Sequence, residues 1–236
     1  MDNTTRQSVL FPELFSKPVH VAFSRERLSS NGGVILLAAR DRQLGLTAAL
    51  AGCLKDRRQA AKVDHALLEQ LRQRVLGIAV GCPEGNAAAQ LREDPMLKLA
   101  CERDPVQGPA LASQPTLSRF ENSVNRRQLL AMGYTLAEAV IAEQARRRRG
   151  QKLRRIIIDI DPTCDPTCGA QQLSLFNGYY DTYCYLPLVI TISFGWEQRK
   201  YPLAVVLRCG TAGAMVGTIG VLRRLINLLR NCFGEV

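Results

Sequence analysis

Residues 156–170 read IIIDIDPTCDPTCGA, and this stretch decides how the second half of the chain is interpreted. The β-branched run that opens it predicts a short buried strand. Side chains alternate along a strand, so Asp159 and Asp161 are expected on one face. Two such carboxylates suit Mg²⁺, which favours one or two carboxylates together with water and phosphate oxygens. The alternative is that each Asp-Pro-Thr only builds a tight turn.

The pattern around this stretch predicts an α+β chain, in which helical periodicity gives way to strand-like runs near residue 150. Strands are predicted at 153–161, 182–194 and 201–208, and a helix follows over 221–233, ended by Gly234. A three-stranded sheet with one covering helix leaves one face poorly covered and one edge open.

The first half of the chain has helical periodicity. Helices are predicted at 34–51 behind possible caps at Ser29 and Ser30, at 67–80 behind Asp64, and after the Asp94-Pro95 pair. Another is predicted over 113–130, and the capping-box pattern of Thr135 and Glu138 predicts a helix that runs into an arginine cluster.

The net charge of +10 is concentrated, since residues 145–155 hold seven cations and no acid. Such a cluster suits a polyanion such as DNA, because phosphate contacts release condensed counterions; the alternative is a solvated connector.

In the predicted helix over 113–130, an apolar inner face leaves Arg and Asn side chains outside, and these residue types read base edges in the major groove. The candidate DNA contacts are Arg119, Asn122, Arg126 and Arg127 for reading, and Arg146, Arg147, Arg148 and Arg149 for phosphates. A solvated helix face is the alternative for the first group.

Eight cysteines and two histidines limit the other possibilities. A structural zinc needs four N or S ligands, and Cys164 and Cys168 have only Cys184 nearby in sequence. A cytosolic metal or thiol protein built on these three cysteines is therefore the weakest alternative. The polar start MDNTTRQ lacks a signal-peptide core and no apolar run would span a bilayer, which predicts a cytoplasmic protein with no membrane partner.

Several motifs together resemble the DDE transposases of bacterial insertion sequences, most closely the family numbered thirteen-eighty. They are DIDPTCDPTCGAQQ (159–172), FNGYYDTYCYLPL (176–188), LSSNGGVILL (28–37), RQLGLT (42–47), LREDP (91–95) and LASQPTLSRFEN (111–122). The resemblance spans about residues 20 to 230. It implies a helical region that binds the element's terminal inverted repeats, here 1–150, and an RNase H-like core beginning at 151. In such cores two aspartates and a glutamate hold Mg²⁺, and the motif implies Asp161 as the first, with Asp159 as the same-face alternative.

The chain also departs from that family's pattern. Pro162 stands where the family has Ala, Cys164 where it has Asp, and Cys168 where it has His. The second aspartate and the glutamate of the family are expected beyond the helix at 221–233, and the later acids Asp181, Glu197 and Glu235 lie in other contexts.

We therefore expect 151–236 to be the first part of a core, three strands and one helix, in a truncated and catalytically inactive copy that does not hold Mg²⁺ stably. The alternative is a non-catalytic DNA-binding fragment that competes with full-length transposase for the element ends. Self-association, association with full-length transposase and location at the nucleoid are further expectations.

Overall fold

A computed structural model describes residues 18–20, 28–149, 151, 153–169, 171–213 and 215–234. The chain divides into two compact units, Met1–Leu129 and Leu130–Val236. This division falls before residue 150 because Ala137 and Ile141 belong to the apolar core of the second unit. The functional division at 150 stays a prediction.

The first unit is helical in the residues described. Its helices are α1 (Val34–Leu44), α2 (Leu46–Gly52), α3 (Leu67–Ala79), α4 (Ala88–Leu91), α5 (Pro95–Ala100), α6 (Gln114–Ser123) and the start of α7 (Arg126–Arg147), with short 3₁₀ turns at Ala60–Lys62 and Gly85–Ala87. The main core of this unit is formed by Val34, Ala38, Leu76, Leu97, Ala100, Cys101 and Leu111.

Asp94 is the confirmed cap of α5. Its carboxylate accepts a hydrogen bond from the backbone N–H of Leu97 at 2.9 Å, and Pro95 opens the helix. The same carboxylate accepts from the Ser29 hydroxyl at 2.7 Å and the Asn31 amide at 3.0 Å. These bonds join the sequence motifs 28–37 and 91–95, so Ser29 serves this junction and is not the cap of α1.

Four predicted helix boundaries or caps are wrong. The helix over 34–51 is interrupted at Gly45, which takes a φ of 64° between α1 and α2. The helix over 113–130 ends at Ser123, and α7 begins at Arg126 behind a reciprocal pair of bonds: Gln128 N–H donates to the Asn125 side chain and Asn125 N–H to the Gln128 side chain, both at 3.0 Å. Thr135 consequently lies inside α7 and does not cap it. Asp64 does not cap α3 either, because Ala66 holds the cap position.

The second unit is built on a three-stranded antiparallel sheet in the order β1-β5-β6. Its strands are β1 (Ile156–Pro162), β5 (Leu188–Phe194) and β6 (Tyr201–Val206), and α8 (Thr218–Phe233) follows. One face buries Ile190, Ile192 and Phe194 against Leu225 and Leu229 of α8 together with α7 residues. The predicted order of three strands and a helix is confirmed, and Gly234 ends α8, donating its N–H to the Arg230 carbonyl at 2.8 Å.

A second three-stranded sheet has the strand order β2-β4-β3. In the chain, β2 follows β1 and β4 precedes β5. Its strands are β2 (Asp165–Pro166), β3 (Leu175–Asn177) and β4 (Thr182–Tyr185). The predicted strand over 182–194 is therefore divided into β4 and β5, and the interruption contains Pro187, which has no N–H for the ladder. The Asp-Pro-Thr segments lie in extended chain and not in two tight turns, because Asp165 pairs with Tyr185 and Pro166 with Cys184.

Candidate functional site

The candidate catalytic carboxylates lie on the face of the main sheet opposite its core. Asp159 pairs in register with Thr191 and Asp161 with Val189, whereas the intervening Ile160 pairs with the buried Ile190. The two aspartates thus share a face, as predicted. Asp161 is exposed, and the Asp159 carboxylate forms an ion pair with the Lys200 ammonium at 3.1 Å.

The residues at this position do not complete a divalent-metal site. Within the described parts of the chain, no group of three or more His, Cys, Asp or Glu side chains is arranged to hold an ion. Glu197 is bound to Arg148, Asp181 lies between β3 and β4, and Glu235 lies outside the described residues. Asp159 and Asp161 supply the right ligand type, but the coordination shell of two catalytic ions needs more carboxylates than these.

The arginine cluster contains side chains in very different surroundings. Arg146 and Arg147 are exposed at the end of α7, and both donate to Glu143 at 2.8 to 3.0 Å. These hydrogen bonds, from Arg146 first and then Arg147, lower the pKa of Glu143 to about 2. Arg149 is also exposed, and Lys152 lies outside the described residues.

Arg148 is buried, with only 8% of the residue exposed. Its guanidinium donates to both carboxylate oxygens of Glu197 at 2.5 Å and to the Gln144 side chain, and it lies 4.1 Å from the centre of the Phe194 ring. A phosphate would have to displace Glu197 to reach it. The structure thus gives this arginine a role in packing the second unit.

The predicted base-reading residues are divided between two helices. Arg119 and Asn122 are exposed on α6, whose apolar inner face buries Leu117 and Phe120. The Asn122 amide donates to the Ser118 carbonyl of its own helix at 2.8 Å. Arg126 and Arg127 are exposed at the start of α7.

A basic cleft in the first unit was missed in the sequence. Lys55, Arg57 and Arg58 lie in the segment between α2 and the first 3₁₀ turn, and they line a cleft with Arg119 of α6. The sequence signal was the run LysAspArgArg at 55–58, with three cations in four residues.

The cysteine alternative gains no support from the described residues. Cys184 is fully buried in β4, Cys164 is partly buried and Cys168 is exposed, and they form no metal-binding group with other ligands. No helix in the described ranges has the length and apolarity needed to cross a membrane.

These features define a helical unit rich in exposed cations, followed by an antiparallel sheet with two aspartates on the face opposite its core. Comparison with protein families gives the class: residues 11–236 match the family described as Transposase DDE domain group 1. The chain belongs to this family of DDE transposase domains, which act in transposition and generally use a divalent metal ion. No curated protein and no solved structure matches the chain.

Proposed function

We propose that this chain is a transposase-derived protein of the insertion-sequence family numbered thirteen-eighty, and that it binds the terminal inverted repeats of its element without cutting them. The observation that supports DNA binding is the distribution of cations. Among the described residues, Arg119, Arg126, Arg127 and Arg149 are exposed, and the family acts on DNA.

Each group of cations has a distinct task in this proposal. Arg119 and Asn122 on α6 contact base edges together with Arg126 and Arg127, because Arg and Asn offer donors that match guanine and adenine in the major groove. Phosphate contacts hold the protein on the duplex without reading its sequence, and Arg146, Arg147 and Arg149 provide them. Arg148 supports them indirectly by anchoring the end of α7 to the sheet unit.

Catalytic inactivity of this polypeptide by itself is the second part of the proposal. Two observations support it. Among the described residues, no third metal ligand joins Asp159 and Asp161 of β1, and Asp159 is paired with Lys200. Bound to the element ends, the protein competes there with a catalytically active transposase or associates with it, and it accompanies the nucleoid.

Binding is tested by fluorescence anisotropy with inverted-repeat DNA over a range of salt concentrations. Arg149→Ala is expected to weaken binding and to lower the salt slope by roughly one, the contribution of a single phosphate contact. Arg230→Ala is the matched control, because Arg230 is also an exposed arginine of the second unit but lies at the end of α8. Absence of salt-dependent binding by the unaltered protein would refute the proposal.

Cleavage is tested with supercoiled plasmid in Mg²⁺ or Mn²⁺. We expect no nicking by the unaltered protein and none by Asp161→Asn. Nicking that disappears in Asp161→Asn, and not in a control such as Asp181→Asn, would show that the polypeptide is a nuclease and that its inactivity was wrongly inferred.

A further inference from the structure

The basic cleft of the first unit has a volume of about 370 Å³. One wall is the segment 54–58 and the other is formed by α6 and the start of α7. The charged groups that line it are Lys55, Asp56, Arg57, Arg58 and Arg119, four cations and one carboxylate. The formal charge of the lining is therefore +3, in a concave surface where field lines of one sign are focused.

Asp56 fixes the shape of the first wall. Its carboxylate accepts the Arg58 backbone N–H at 3.0 Å and two bonds from the Arg58 guanidinium at 2.8 and 2.6 Å. The side-chain bond from Arg58 is the main reason why the pKa of Asp56 is lowered to about 2, so this carboxylate is ionised at neutral pH. Arg58 is thus held and neutralised, whereas Lys55 and Arg57 are exposed and form no ion pair within the described residues.

The rest of the lining offers little that reads sequence. Leu54, Leu67, Phe120 and Val124 are apolar. The polar side chains of Gln70 and Ser123 donate to the His65 and Phe120 carbonyls, each at 2.8 Å, and the Thr116 hydroxyl is hydrogen-bonded to the Ser113 hydroxyl at 3.1 Å. The side-chain oxygens of Asn125 and Gln128 already accept each other's backbone N–H groups at the start of α7. Among its described residues, the cleft thus offers positive charge but no free polar side chain suited to distinguishing one base from another. Such a lining suits contacts to phosphates, which position DNA without reading its sequence.

We propose that this cleft binds the phosphodiester backbone of DNA, with Lys55 and Arg57 as its principal contacts. This inference rests on the proposed DNA-binding function and adds a second, sequence-independent contact surface to it. The cleft lies beside the exposed side of α6. A DNA duplex whose phosphate backbone is bound in the cleft would therefore lie next to Arg119 and Asn122.

The test compares two lysines of the same unit in binding to a short DNA duplex of arbitrary sequence. Lys55→Ala removes a cation from the cleft, and Lys62→Ala removes an exposed cation that lies outside it. Lys55→Ala and Arg57→Ala are each expected to reduce affinity by roughly five- to tenfold near 0.1 M salt and to lower the salt slope by about 0.9, equally for all sequences. Lys62→Ala is expected to stay within about twofold of the unaltered protein, as a residue without a phosphate contact would.

Asp56→Asn gives a test that loss of folding cannot imitate, because the expected change is a gain. Asparagine keeps the side-chain oxygen that accepts the Arg58 N–H but removes the negative charge, so affinity should rise several-fold and the salt slope should steepen. Circular dichroism of each variant checks that the helical unit is intact.

Failure of this inference and failure of DNA binding give different results. If the unaltered protein binds no DNA, the proposed function and the inference built on it are both overturned. If it binds DNA but Lys55→Ala and Arg57→Ala behave like Lys62→Ala, and Asp56→Asn binds no tighter, DNA binding stands and the cleft assignment is overturned.

Discussion

Replacing the buried arginine of the basic cluster should destabilise the second unit, while replacing its exposed neighbour should not. Arg148 is 8% exposed and makes two charge-assisted hydrogen bonds to Glu197 as well as a cation–π contact with Phe194. Hydrogen bonds to charged groups contribute about 1.5–3 kcal/mol, and a cation–π contact about 0.5–2 kcal/mol. Because the Glu197 side chain is 44% exposed and regains water when Arg148 is removed, the lower end of these ranges applies. Both bonds to Glu197 come from the same Arg148 nitrogen, Nη2, and are counted once, so we expect Arg148→Ala to cost about 2–3 kcal/mol of unfolding free energy.

Urea unfolding followed by circular dichroism measures this cost. With a urea dependence of roughly 1–3 kcal/mol per molar, the midpoint of the sheet unit should fall by about 1 M or more in Arg148→Ala. Arg149→Ala is the control, since an exposed substitution usually changes stability by less than about 0.5 kcal/mol. Equal midpoints for the two variants would refute the assignment of Arg148 to packing and return it to the candidate phosphate contacts.

Three further predictions test other parts of the structure. Gly210→Ala should destabilise the protein by at least about 2 kcal/mol in urea unfolding, because a Cβ would lie 2.3 Å from two backbone oxygens, whereas Gly220→Ala in α8 meets nothing within 4 Å and should gain up to about 1 kcal/mol. The ion pairs of Glu143 contribute stability above its unfolded pKa near 4.5 that is lost as the pH falls toward 2, so the stability difference between the unaltered protein and Glu143→Gln should shrink on acidification. Burial raises the pKa of the Cys101 thiol to about 12, so iodoacetamide followed by mass spectrometry should label exposed Cys168 well before Cys101; equal labelling rates would contradict the described core.

The elements that the sequence predicted well are those with local signals. The three main strands follow from apolar β-branched runs, and the cap of α5 follows from Asp94 before Pro95. The helix breaks at Gly45 and at Val124–Asn125 were missed because the apolar positions continue through both points. A break of this kind depends on how the flanking turns pack, which periodicity does not record.

The division of labour among the four consecutive arginines was also beyond the sequence. Adjacent helix positions differ in direction by about 100°, so identical residues in a run meet different surroundings. Arg148 meets Phe194 and Glu197, which come from the sheet unit far along the chain. The total charge of the run is therefore a poor measure of how many of its cations are available to DNA.

The prolines of the repeated Asp-Pro-Thr-Cys show why turns and an edge strand are so hard to distinguish from sequence. Thr163 and Thr167 donate their backbone N–H groups to the carbonyls of Pro187 and Tyr183, each at 3.0 Å. The backbone nitrogens of the odd-numbered residues therefore point toward the partner strand. Pro162 and Pro166 have even numbers, and their nitrogens face the open edge, where β1 and β2 have no other neighbour among the described strands. The repeat length of four is even, so both prolines fall on this side and cost the ladder no bond. An odd repeat would have placed one proline nitrogen against the partner strand, where the ladder would have lost a hydrogen bond.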